Sequence, residues 1–197
     1  QKAPDAKSYF GAFFSLSTGT QAEIAWGLVG KLKAFGAPLV DRFTSFGPGE
    51  VETSLRAGVP GEKLVMNGQA KTEEWLALAV RHGITVTLDN PGELELLIDV
   101  AGRARREGWG HVPAPVFVRL KLPMDDVRTS VRPEGPTIAD RVLTTAWGFT
   151  EDEAREAVRR ALGAPDRLLL RGYHHHIGYL INRPDYHAAA MRDVAGA

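Results

Sequence analysis

The stretch from Ile84 to Leu120, ITVTLDNPGELELLIDVAGRARREGWGHVPAPVFVRL, sets the fold class. Its opening, Ile84 to Leu88, is short, apolar and β-rich. Asn90 then offers a helix cap, Pro91 suits the first helical position and Glu93 takes the capping-box position. Leu94, Leu97, Ile98 and Ala101 fall on one helical face, which predicts a helix over Pro91 to Arg106. Pro115 to Leu122 then returns to strand character, and Val116-Phe117-Val118-Arg119-Leu120 is nearly continuous in apolar residues. A strand apolar on both faces belongs in a parallel sheet covered by helices.

The same strand–helix alternation extends in both directions. Strands are expected at Tyr9 to Leu16, Pro38 to Phe43, Lys63 to Met66 and Arg167 to His174. Helices are expected at Gln21 to Ala34, Pro48 to Ala57, Glu73 to Arg81, Glu151 to Leu162 and Tyr186 to Val194. Thr150 and Glu153 repeat the capping-box spacing, and Gly163 fits a C-terminal stop. Pro123 to Pro136 is the most loop-like segment. Such alternation gives one α/β domain over residues 1–197, either a barrel or an open doubly wound sheet. No G-x-G-x-x-G or Walker loop follows a strand, which weakens a dinucleotide or P-loop reading.

Bulk properties narrow the function classes. Lys+Arg and Asp+Glu both total 24, so a net charge of zero removes the electrostatic case for nucleic acid or an anionic membrane. The absence of cysteine excludes disulfides and thiolate metal sites. No apolar run reaches membrane-spanning length, and Gln1-Lys2-Ala3-Pro4 shows no signal-peptide pattern. A cytoplasmic protein is the default expectation.

Four segments, in order, carry a resemblance. They are Gly47-Pro48-Gly49-Glu50 with Ala57-Gly58-Val59-Pro60, then Leu64 to Lys71 with Asn67, then Thr87-Leu88-Asp89-Asn90 with Glu93-Leu94, and finally Gly172-Tyr173-His174-His175-His176-Ile177-Gly178. Together with Trp147-Gly148 they resemble the fold type III pyridoxal phosphate (PLP) enzymes, the alanine racemase and ornithine/diaminopimelate decarboxylase family, over about residues 13–195. The resemblance implies a (β/α)8 TIM-like barrel with about six βα units present here. It also implies PLP as cofactor and an amino acid substrate, with the decarboxylase branch favoured by the His174 to Gly178 segment.

The site residues follow from that match. His176 corresponds to the residue that stacks on the cofactor ring. His174 shares its strand face, since side chains alternate. Arg119 corresponds to a basic residue near the cofactor, with an internal ion pair as the competing role. Glu50 can face the cofactor or serve as a first-turn glutamate on the helix dipole. Asn67 and Asp89 end strands, Asp89 being equally explicable as a turn or capping residue. Gly178 can let backbone approach a phosphate. A metal site on His174, His176 and His187 lacks a nearby carboxylate and ranks below these. Lys71 and Lys121 are the nearest lysines in view as substitutes for a missing amine, and Lys71 matches a family lysine that does not carry the cofactor.

The sequence departs from the pattern at Ser17, where the family keeps its Schiff-base lysine. A hydroxyl cannot form an imine, which needs an amine. Thr44 replaces a frequent aspartate, and Tyr179 a frequent phosphate-binding serine. A barrel needs eight strands and typically about 250 residues. The expectation is therefore a split enzyme, with strands seven and eight and a C-terminal β-domain supplied by a complementary chain in a heterodimer, or by a lost part of this one. The alternative is a catalytically silent structural or regulatory homologue, a pseudoenzyme without Schiff-base chemistry.

Overall fold

The computed structural model describes residues 13–15, 42–45, 47–121, 147–176, 188 and 191–192. The elements are β1 (Phe13–Ser15), β2 (Arg42–Ser45), α1 (Pro48–Arg56), β3 (Leu64–Met66), α2 (Glu73–His82), β4 (Thr85–Leu88), α3 (Pro91–Glu107), β5 (Ala114–Leu120), α4 (Glu151–Leu162) and β6 (Leu168–His175). The expected helix over 21–34 and the loop over 123–136 lie outside the described residues. Of the expected helix at Tyr186 to Val194, the described Ala188, Met191 and Arg192 are helical.

The six strands form one sheet in the order β1-β2-β3-β4-β5-β6, and every neighbouring pair is parallel. Strand order equal to chain order has no point at which the winding reverses. An open doubly wound sheet requires such a reversal, so the sheet is of the barrel kind. A shift of register between Val116 and Phe117 realigns the β5–β6 pairing, so that Arg119 stands opposite His174.

Register sorts the side chains into two faces. Phe43, Leu64, Met66, Val86, Leu88, Val116 and Val118 share one face and are all buried. They form a core with Leu76, Val80, Leu94, Leu97 and Ile98 of the helices. The opposite face carries Thr44, Val65 and Thr85 in one row and Thr87, Phe117, Arg119 and His174 in the rows nearer the C-terminal strand ends. This second face, the interior of a barrel, is therefore strongly polar.

Helix boundaries follow local chemistry. The Asn90 side chain accepts from Glu93 N at 2.9 Å, and Thr150 and Glu153 form a reciprocal capping box. Glu93 departs from expectation: its carboxylate is not turned back on the Asn90 backbone but bonds Asp89 and Lys71. Gly163 caps α4 in an ordinary right-handed conformation, so its special freedom is not used. Replacing Thr150 by Ala removes one side of the box; a loss of about 1 kcal/mol in urea unfolding of the full chain is expected.

Candidate functional site

The C-terminal ends of β3, β4, β5 and β6 bring together the ionisable residues that share the polar face. Asp89 follows the last residue of β4 and is 1 % exposed. Its Oδ1 accepts from Arg119 Nη1 at 3.0 Å, and its Oδ2 faces Lys71 Nζ at 3.3 Å. Lys71 also donates from Nζ to Glu93 Oε2 at 2.9 Å and to the Gly68 carbonyl. Glu93 completes the arrangement from the first turn of α3. Its Oε2 accepts from the Asp89 backbone N–H at 3.0 Å, and its Oε1 from that of Lys71 at 3.2 Å. Two cations and two carboxylates thus neutralise one another where water is excluded, the condition under which buried charge is tolerated.

Arg119 lies between this network and the rim. Its guanidinium carbon sits 5.2 Å from the centre of the Trp147 ring, a cation–π contact. The segment carrying Trp147 is fastened to the end of β5, with Phe149 N donating to the Arg119 carbonyl and Lys121 N to the Phe149 carbonyl, both at 2.8 Å. Gly148 permits that approach: its φ is +87°, and a Cβ there would stand 3.0 Å from the Arg119 carbonyl oxygen.

His174 of β6 and His176 just beyond its end feel the same guanidinium. Burial, reinforced by the Arg119 charge, pushes the His174 imidazole down to about 3. His174 is therefore neutral at physiological pH, able to present one donor and one acceptor nitrogen. Its Nδ1 is buried and lacks a hydrogen-bond partner among the described residues, as does Asn67 Oδ1 at the end of β3. Desolvation and the Arg119 charge also push His176 below its usual value. For Asp89, burial pushes the carboxyl upward, and Lys71 and Arg119 pull it back. Because the folded His174 resists protonation while an unfolded one accepts a proton near pH 6.5, the unfolded state binds more protons between those values. Stability is therefore lost as pH falls from about 6.5, by about 1 kcal/mol per pH unit. Replacing His174 by Asn should flatten that part of the stability–pH curve in chemical denaturation.

The expected site residues divide accordingly. His174, Arg119 and Asn67 stand at the strand ends, with His176 at the exposed rim. Asp89 is an ion-pair hub and not a turn or cap residue. Glu50 sits half-buried in the first turn of α1. Lys71, weighed as a substitute amine, has every bond direction occupied and is 3 % exposed. Ser17, Gly178, Tyr179 and His187 lie outside the described residues. Among the described residues, no group of three or more His, Cys, Asp or Glu could hold a metal ion, and no helix is long and apolar enough to cross a membrane. A cavity of about 400 Å³ lies toward the opposite ends of the strands, lined by Arg42, Lys63, Thr85 and Arg171, and touches none of the cluster.

Parallel βα units with a charged constellation at the C-terminal strand ends are of the (β/α) barrel class, whose sites gather at that face. Residues 26–197 match the family described as "Pyridoxal-dependent decarboxylase, pyridoxal binding domain", and the chain belongs to that family. Among curated relatives, a diaminopimelate decarboxylase of Actinosynnema pretiosum is 32% identical over 151 residues, 75% of this chain and 31% of the relative. A probable chloroplastic diaminopimelate decarboxylase of Oryza sativa is 28% identical over 147 residues, 75% of this chain and 27% of the relative. Among solved structures, diaminopimelate decarboxylase from Helicobacter pylori complexed with L-lysine superposes with a TM-score of 0.71 at 19% identity, over 96% of this chain and 44% of that one. The chain thus spans less than half the length of these relatives.

Pyridoxal phosphate is the cofactor this family implies. The described residues fit its non-covalent needs: a fixed guanidinium, a neutral imidazole with an unsatisfied nitrogen, a buried amide oxygen and an imidazole at the rim. They offer no free amine among Lys71, Asp89, Glu93, Arg119 and the histidines.

Proposed function

We propose that this chain is the cofactor-binding barrel part of a PLP-dependent amino acid decarboxylase-like enzyme, working with the remaining barrel strands and a C-terminal β-domain on a complementary chain. The observation that carries this reading is the clustering of Arg119, His174, Asn67 and Asp89 at the C-terminal ends of four adjacent strands. Decarboxylation is favoured over racemisation by the diaminopimelate decarboxylases among the relatives.

Bound PLP supplies an electron sink for bond cleavage at an amino acid Cα. The residues of this chain bind and orient. His176 packs against the cofactor ring, as the resemblance implies. Arg119 presents a positive charge whose direction is fixed by Asp89 and Trp147. His174 stays neutral and offers a hydrogen bond without adding charge, while Asn67 supplies an amide. Glu50, in the first turn of α1, belongs to the same proposed cofactor shell, as does Gly178 by the resemblance. The amine that holds the cofactor comes from the complementary chain, since the resemblance puts Ser17 at the family's lysine position.

A second reading is favoured by that same serine together with Thr44 and Tyr179. Here the chain is a silent structural or regulatory homologue in a soluble, cytoplasmic assembly. Carbon dioxide release from diaminopimelate, L-lysine and L-ornithine by the assembled protein, with and without PLP, separates the two. PLP-dependent release that disappears in His176→Ala without loss of assembly supports the enzyme. Tight PLP uptake with no release from any of the three supports the silent homologue.

A further inference from the structure

The arrangement of Lys71 and Glu93 exceeds what neutralising Asp89 requires. Asp89 already has a cation in Arg119 at 3.0 Å. Lys71 and Glu93 instead surround the other side of Asp89, and they do so through main chain as well as side chain. Glu93 holds the Asp89 backbone N–H and the Lys71 backbone N–H with its two oxygens. Lys71 Nζ then bridges Glu93 and Asp89. The side chains of Lys71, Asp89 and Glu93 are 0%, 1% and 4% exposed. Asp89 is thereby held at its Oδ2 and at its backbone N–H, and the loop after β3 is tied to the start of α3. Arg119, at 11% side-chain exposure, is the one member of the four that reaches toward the rim. Its opposite contact, Trp147, is 45% exposed and lies over the guanidinium at 5.2 Å.

We propose that Lys71 and Glu93 are positioning residues which, through Asp89, fix the direction in which Arg119 presents its guanidinium to the cofactor. The proposal rests on the reading of the site as a PLP site, so its test carries one readout that does not need PLP. Removing Lys71 alone strands Glu93 and leaves Asp89 only Arg119. The balanced double variant Lys71→Met/Glu93→Gln leaves the Asp89–Arg119 pair intact and the cluster neutral, so it is the variant expected to fold. Trp147 reports on Arg119, and its contribution is isolated as the fluorescence difference between each protein and its Trp147→Phe counterpart.

In the assembled protein, the double variant should raise the Kd for PLP on the order of tenfold or more, as loss of a supporting shell does elsewhere. The Trp147 contribution should become more readily quenched by acrylamide, as in Arg119→Met. A double variant that melts earlier but keeps both the native Trp147 quenching and the native PLP affinity overturns the proposal, leaving Lys71 and Glu93 a structural role only. If the unsubstituted protein takes up no PLP, the proposed function fails, and the relay is judged on Trp147 quenching alone: unchanged quenching overturns it, increased quenching sustains it.

Discussion

Lys71→Met is expected to destabilise the protein by about 3–5 kcal/mol, the cost of breaking a buried ion network from one side. The lysine side chain is 0% exposed and is shared between Asp89 and Glu93. Its removal leaves two carboxylates facing one cation, Arg119, which reaches only Asp89. The stranded Glu93 must then be protonated or hydrated, and either disturbs the backbone N–H groups it holds. Exposed pairs provide the contrast. Arg56 with Glu52 and Arg155 with Glu151 lie at helix surfaces, and their loss should leave the unfolding midpoint where it was. Urea unfolding of the three variants side by side checks the ranking; a Lys71→Met protein as stable as the surface variants refutes it.

Arg119→Met is the second substitution with a large expected effect, but on binding. Asp89 retains Lys71, so the stability loss should be only about 1–3 kcal/mol. Methionine keeps the apolar stem against Trp147 and removes the charge at the rim. PLP affinity is expected to fall on the order of tenfold to a hundredfold, measured by equilibrium titration of the assembled protein. An unaltered affinity in a folded variant would remove Arg119 from the site.

Much of this was readable in the residue string. α3 and α4 declare themselves by Asn90 and Thr150, whose side chains cap where the spacing demands. β4 and β5 are legible because helices cover one face and their apolar runs show it. β2 is harder. Apolar content points to Pro38 to Phe43, whereas the strand is Arg42–Ser45. Thr44 extends it on the polar barrel interior and Ser45, opposite Met66, on the helix-covered side, and hydrophobicity marks neither residue. The choice between a barrel and an open sheet was not available from periodicity either; it needed the strand order.

The site was legible at single positions and not as a network. Arg119 and His174 are separate in sequence and meet only because β5 and β6 pair in that register. Lys71 and Glu93 stand 22 residues apart, with a full βα connection between them. Glu93 at a capping-box position carries a local explanation that hides its part in the ion network. The signal that could have found it is a lysine and two acids placed just beyond the ends of consecutive parallel strands, where topology brings them together.

The central claim is that this chain binds the cofactor without holding it covalently, and that the amine comes from the complementary chain. Borohydride reduction of the assembled protein saturated with PLP, followed by mass mapping of pyridoxyl peptides, tests it directly. The expected result is one pyridoxyl-lysine, located on the complementary chain, with Lys71, Lys121 and the Ser17 peptide unmodified. A pyridoxyl group on Lys71 or another lysine of this chain, or no PLP uptake at all, would contradict it.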